Sequence, residues 1–266
     1  MIRVLVSGAA GRMGKEVLKT IWGAADTELV GAVDPMAVGV DVGNLLGLGE
    51  TGIKVQGDLE AALTEIKPEV MVDFTTPKTV FANAKLSLQK QVRPIIGTTG
   101  LSPEQIAELQ QLAQENGVGG LIAPNFAVGA VLMMKMASIA AKYLPHVEII
   151  ELHHDKKLDS PSGTAIKTAE LIEASRQETV AANVASTEKI PGCRGGDKNG
   201  IHIHSVRLPG LVAHQELIFG GVGETLTIRH DSISRESFMP GVLLAVRKAP
   251  ELKELVYGLD NIIFSD

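Results

Sequence analysis

Up to about residue 126 short β-branched runs alternate with stretches of helical spacing, and beyond it several strand-like runs follow one another. Residues 2 to 7, IRVLVS, end at a glycine turn, Gly8 to Gly14, after which KEVLKTIW has the spacing of an amphipathic helix. The second strand, ELVGAVD, closes at Asp34. Then IKVQG, a helix after Asp58, EVMVDF, a helix from Pro77, VRPIIG, a helix from Pro103 and VGGLIA continue the alternation. Thr76-Pro77 and Ser102-Pro103 each place an N-cap residue before a proline suited to the first helical position, and Gln105 completes a capping box with Ser102. The glycine-punctuated stretch from Gly39 to Gly52 predicts a mobile surface loop. Strands separated by helices imply a parallel sheet with helices on both faces, whose ligands lie beyond the carboxyl ends of the strands.

From Val128 to Leu144 the chain is apolar nearly all round, which predicts a buried helix linking two domains. Farther on, IHIHSVRL, VAHQELIFG and ETLTIRHDS predict three consecutive antiparallel strands, with Arg194-Gly195-Gly196 in a loop before them. The last thirty residues, from Arg235, have helical spacing without a strand and are expected to return to the first domain. The pattern therefore predicts residues 1–126 plus 235–266 as one domain and 127–234 as a second.

Composition narrows the functional classes. Of 266 residues, 45% are hydrophobic and 21% charged, the balance of a globular chain with a sizeable core. A net charge of −6 without a basic stripe argues against nucleic acid as partner. No run approaches the length of a membrane span and no signal segment is visible, so a cytoplasmic location is expected. The one cysteine, Cys193, fits a reducing compartment. It could join His202 and His204, which share one face of a strand, around zinc, but no second cysteine or paired ligand has metal-site spacing. No metal is expected.

Two groups of residues carry candidate chemistry. Gly8-Ala9-Ala10-Gly11-Arg12-Met13-Gly14 lies between strand and helix, and Asp34 follows at the end of the next strand. Such a turn admits a dinucleotide's pyrophosphate to the backbone, and the acid suits the adenosine ribose. The spacing is G-x-x-G-x-x-G, less common than G-x-G-x-x-G, and glutamate at position 16 excludes a Walker loop. Two further strand-end turns, Gly97-Thr98-Thr99-Gly100 and Ala123-Pro124-Asn125-Phe126, should face the same cofactor. The second group is Glu151 to Thr164, ELHHDKKLDSPSGT. His153, His154, Lys156 and Lys157 precede a turn, Ser160 to Thr164, whose N–H groups and hydroxyls open a helix, an arrangement suited to holding an anion and moving protons. A solvated basic loop, balanced by Asp155 and Asp159, is the alternative.

GAAGRMG, GTTG, APNF and HHDKKLDSPSGTA, in this order, are the motifs by which the chain resembles the dihydrodipicolinate reductase family, the 4-hydroxy-tetrahydrodipicolinate reductases of bacterial lysine and diaminopimelate synthesis. The resemblance covers essentially the whole length. It implies an α/β fold, a Rossmann-like dinucleotide-binding domain with a smaller α+β mixed-sheet substrate domain, and a homotetramer whose substrate domains join their sheets. It implies hydride transfer from NADPH or NADH to a cyclic imine dicarboxylate, with loss of water and uptake of a proton. By motif position, Gly8 to Met13, Asp34, Gly97, Thr98, Thr99 and Ala123 to Phe126 would line the cofactor. His154, Lys157, Ser162, Gly163 and Thr164 would hold the substrate, with His153 and Lys157 as proton donors. The chain departs from many members at Asp34-Pro35-Met36, where an arginine often follows the acid; Asp34 favours NADH, Arg12 in the glycine turn attracts the 2′-phosphate of NADPH, and both cofactors are expected to work. The alternatives are another NAD(P)-dependent dehydrogenase acting on a small amino acid or dicarboxylate, and a dinucleotide sensor without catalysis.

Overall fold

The protein is described here from a computed structural model covering residues 1–177 and 187–265. It divides into two compact units, one of Met1–Val128 with Phe238–Asp266 and one of Gly129–Ser237. In chain order the first unit contributes β1 (Ile2–Ser7), α1 (Arg12–Gly23), β2 (Thr27–Val33), α2 (Val42–Leu46), α3 (Leu59–Ile66), β3 (Val70–Asp73), α4 (Val80–Gln89), β4 (Arg93–Ile96), α5 (Pro103–Asn116) and β5 (Gly120–Ile122). The helix α6 (Val128–Ala140) leads into β6 (His146–His153), α7 (Gly163–Ser175), β7 (Gly196–Lys198), β8 (Ile201–Arg207), β9 (Ala213–Gly221) and β10 (Glu224–Ser232). The chain then forms α8 (Met239–Lys248), β11 (Leu255–Tyr257) and α9 (Asp260–Ile263).

The first unit is Rossmann-like. Its strands run in the order β11-β5-β4-β3-β1-β2, all parallel, and the order reverses between β1 and β3, where such sheets bind ligands. Because both faces are covered, the strands are apolar without alternation: Val4, Leu5, Val6, Val70, Met71, Val72, Ile95 and Ile96 have no exposed surface. Ser102 caps α5 in a full capping box with Gln105, and Asp58 caps α3 through the N–H of Ala61.

Four sequence expectations are corrected in this unit. The stretch from Gly39 to Gly52 lies largely at the surface but carries a short helix and a fold of its own: Asp41, buried with Val42 and Gly43, caps α2 through Gly43 and also accepts from the N–H groups of Thr51 and Gly52 and the Thr51 hydroxyl, which folds the loop around one carboxylate. The run IKVQG forms only isolated bridges, Val33 with Gln56 and Asp41 with Lys54, because this folded loop holds it. The fourth helix begins at Val80 and not at Pro77, since the Thr76 hydroxyl meets that of Thr79 and caps no backbone N–H. The tail carries a strand after all: Leu255–Tyr257 extends the sheet beside β5.

The second unit is a mixed sheet in the order β10-β9-β6-β8-β7. The expected meander of three antiparallel strands is half right. The strands β9 and β10 pair antiparallel, but β6 inserts between β9 and β8 and runs parallel to β8. Val147, Ile149, Ile201, Ile203, Leu217 and Phe219 form the core face, on which Met133 and Ala137 of α6 and Ala165, Ala169 and Ile172 of α7 pack. The sequence predicted α6 as buried all round. Only one stripe is: Leu132, Met136, Ile139 and, beyond the helix, Tyr143 are exposed. The opposite face of the sheet carries half-buried Ile150, Leu152, Val206 and Ile218 beside the hydrogen bond of Glu148 with His204 and the ion pairs of Arg229 with Glu216 and Asp231.

Candidate active site

In the first unit a cleft of about 340 Å³ is lined by residues 11–13, by Phe74, Thr75 and Pro77, and by residues 97–99. These residues follow β1, β3 and β4 at the carboxyl ends of the strands. The glycine turn is shaped by close approach. Gly8 has φ +82°, and a Cβ there would lie 2.4 Å from the carbonyl oxygen of Phe74; one on Gly14 would lie 2.0 Å from the oxygen of Gly8. No side chain caps α1 at Gly11, so the N–H groups of its first turn face the cleft with the helix dipole behind them. This is a fit for a diphosphate.

Two acids hold the turns in place. The Asp34 carboxylate, 9% exposed, accepts from the N–H groups of Ala10 and Met36 at 2.9 Å each, which ties the end of β2 to the glycine turn and leaves each oxygen a further lone pair for a ribose hydroxyl. Asp73, fully buried at the end of β3, accepts from the N–H and hydroxyl of Thr75, from the Thr98 hydroxyl at 2.7 Å and from the Asn83 amide at 2.8 Å. Sequence reasoning missed Asp73. The available signal was an acid closing a wholly apolar strand, which must find donors among its neighbours. Thr98 therefore has its hydroxyl engaged within the protein, while Thr99 is exposed. The side chains of Ala9, Ala123 and Phe126 are buried, the last against Phe74 with ring centroids 5.8 Å apart, so these three can meet a ligand only through the backbone. Pro124 is exposed, and the Asn125 amide oxygen accepts from Ala127.

In the second unit β6 ends at the histidine pair. Strand alternation places Glu151 and His153 on the same face and His154 outside, where it is exposed. Glu151 has no exposed surface and was not singled out by sequence reasoning. Its Oε1 accepts from Arg207 Nη2 at 2.7 Å and from the Ser162 N–H at 3.3 Å, while Oε2 accepts from Arg207 Nη1 at 2.9 Å and bonds His153 Nδ1. Arg207 also donates to the carbonyl of Asp159. Burial alone would raise the Glu151 pKa, but the bonds to His153 and Arg207 prevail and hold it at about 2. Lys157 donates to both oxygens of Asp159, at 2.7 and 2.8 Å, and this lysine lowers the Asp159 pKa. Ser162 is buried and caps α7 through Ala165, so its N–H and its hydroxyl oxygen both have protein partners; Gly163 is exposed and Thr164 half-exposed at the helix start. The structure thus brings His153, Lys157 and the Ser162–Thr164 turn into one loop system, with Lys156 directed to solvent. Arg207 was missed because nothing in the local sequence links it to residue 151.

Among the described residues no group of three or more histidine, cysteine, aspartate and glutamate side chains is placed to hold a metal, and His204 bonds Glu148.

Comparison with known proteins matches residues 2–126 to the family model for the dihydrodipicolinate reductase N-terminus and residues 129–263 to that for its C-terminus. The 4-hydroxy-tetrahydrodipicolinate reductase of Desulfitobacterium hafniense is 57% identical over 98% of both chains, and that of Syntrophomonas wolfei 56% over 98% of both. A solved structure, the dipicolinate-bound dihydrodipicolinate reductase from Paenisporosarcina sp. TG-14, superposes with a TM-score of 0.88 at 49% identity, covering 98% of this chain and 99% of that one. An amine dehydrogenase from Mycobacterium smegmatis, at 16% identity over 97% of this chain and 95% of its own, shares the fold with a TM-score of 0.71.

Because the Glu151 pKa is depressed from 4.5 to about 2, its ionised form stabilises the folded state above pH 4.5, and that contribution is lost as the pH falls through about 2. Denaturant unfolding of the wild type and of Glu151→Gln should differ most near neutral pH, by an amount on the order of 3 kcal/mol, and converge in acid. A difference independent of pH would show that the charge on Glu151 contributes nothing.

Proposed function

The chain belongs to the dihydrodipicolinate reductase family, and on that premise we propose how its own residues perform the reaction. It catalyses the NAD(P)H-dependent reduction of 4-hydroxy-tetrahydrodipicolinate to tetrahydrodipicolinate with loss of water, in lysine and diaminopimelate synthesis. The observation that carries the assignment of roles is the placement of His153, Lys157 and the Ser162–Thr164 turn in one loop system at the end of β6. When bound, the reduced nicotinamide supplies the hydride. Residues 1–126 with 235–266 hold it: Gly8, Ala9, Ala10, Gly11, Arg12 and Met13 through the turn and the start of α1, Asp34 at the ribose, Gly97, Thr98, Thr99 and Ala123 to Phe126 along the other strand ends. Residues 127–234 bind the substrate and join the subunits.

The substrate is a cyclic dicarboxylate, the chemistry that the bound dipicolinate of the Paenisporosarcina enzyme shares. His154, Lys157, Gly163 and Thr164 receive its carboxylates, and Ser162 shapes the turn that does so. Two of the three N–H groups of Lys157 go to Asp159, which leaves the third for a substrate carboxylate. Hydride addition leaves negative charge on the ring system, and a proton from His153 or Lys157 quenches it. The direct test generates the cyclic imine in place and follows loss of nicotinamide absorbance; turnover is expected, and reduction of an amino-acid-derived substrate alone would favour a different dehydrogenase. In that assay Lys157→Ala should lose about a hundredfold or more in turnover while keeping cofactor affinity. Unchanged turnover would remove the lysine from the mechanism.

Cofactor preference rests on opposed charges. Asp34 is pinned by two backbone N–H groups, favours free ribose hydroxyls and repels a 2′-phosphate. Arg12, exposed at the head of α1, attracts that phosphate. NADH and NADPH are therefore expected within about tenfold of each other in kcat/KM, a difference of about 1.4 kcal/mol or less. Arg12→Ala should weaken NADPH more than NADH; equal loss of both would refute the balance.

The working form is a homotetramer in the cytoplasm. Among the described residues the sheet of the second unit has helices on one face only, and its other face presents half-buried Ile150, Leu152, Val206 and Ile218 for burial against another copy. Free exposed Cys193 suits a reducing compartment. Light scattering should give the mass of four chains, and a stable monomer at working concentration would contradict this.

A further inference from the structure

We propose that Glu151 is a positioning residue for the reduction, keeping His153 protonated at Nδ1 so that its Nε2 is the atom that exchanges protons, and fixing the substrate-binding turn against it; this rests on the role given to His153 above. An ionised carboxylate only accepts hydrogen bonds. Hydrogen bonds reach Glu151 from the two Arg207 nitrogens, the Ser162 N–H and His153 Nδ1, two on each oxygen, and the Ser205 hydroxyl on the neighbouring strand is a further donor. A neutral His153 must then carry its proton on Nδ1, because an unprotonated Nδ1 would set a lone pair against a lone pair. Nε2 becomes the nitrogen through which protons enter and leave.

The same carboxylate locates the turn. The Ser162 N–H points to Oε1, the Ser162 hydroxyl caps α7, and Arg207 holds the Asp159 carbonyl. On the strand facing Glu151, Gln215 donates to Thr168, whose hydroxyl bonds the carbonyl of Thr164, so the first turn of α7 is fastened to the sheet a second time. Arg207 neutralises Glu151 in its buried position, where a lone carboxylate would take up a proton instead and cease to orient the ring.

The test is a double-mutant cycle with the intact chain, in the coupled imine assay. Glu151→Gln should lower kcat by about tenfold or more and leave the affinity for NADH, titrated by its fluorescence, unchanged. In a His153→Ala background the same substitution should cost clearly less, because no imidazole is left to orient and only the hold on the turn is lost. Equal losses in both backgrounds would make Glu151 a merely structural group and overturn the proposal, as would unchanged kcat in the single variant. Should Glu151→Gln fail to fold with Arg207 left unpaired, Glu151→Gln/Arg207→Gln removes both charges and is put through the same cycle with the same two outcomes. A wild-type chain that does not reduce the imine overturns the function itself, a result distinct from turnover that ignores Glu151.

Discussion

Glu151 sits in the sheet of the second unit with no exposed surface, and the need to give a buried carboxylate a donor for every lone pair shapes everything around it. Three separate pieces of chain supply those donors: Arg207 from the end of β8, Ser162 from the entrance to α7, and His153 from two residues farther along the same strand. The ion pair need not add net stability, since buried pairs often only balance their desolvation. What it does is set geometry. Shifting the register of β6 by one residue would turn Glu151 and His153 to the open face together and leave Arg207 without its partner.

The first unit uses the same device. Asp34 and Asp73 stand at strand ends and accept from the turns that face the cleft, so the glycine turn, the Thr75 turn and the Thr98 turn are each held by a carboxylate behind them. Backbone N–H groups that are fixed before a ligand arrives lose little freedom when it binds, and that is the advantage of building the site on strand ends. The apolar sheet beneath, with Val4 to Val6 and Val70 to Val72 wholly buried, gives those carboxylates a rigid base.

Much of this was legible in the sequence because it is local. Alternating periods revealed the parallel sheet, Ser102 with Gln105 marked one helix start, and the glycine turn with Asp34 marked the ligand side. One miss is local, the start of α4, where the Thr76 hydroxyl goes to Thr79; the others turn on contacts between residues farther apart. Asp41 folds the stretch from Gly39 to Gly52 through residues ten and eleven positions away, and the strand at Leu255 exists only because β5 offers it an edge. The pairing of β6 with β8 likewise brings Arg207 to Glu151 across 56 positions. Periodicity cannot report a partner so remote. In the second unit it therefore gave the strands but not their order, and in the site it gave the histidine and lysine but not the acid behind them.

One buried carboxylate dictates which nitrogen of His153 carries the proton. Nitrogen NMR of the His153 ring in the wild-type protein, read above neutral pH through the couplings of its two nitrogens to the ring protons, reports the tautomer directly. The account predicts a protonated Nδ1 and a bare Nε2. A ring found with its proton on Nε2 would set an unprotonated Nδ1 against the Glu151 carboxylate and contradict it.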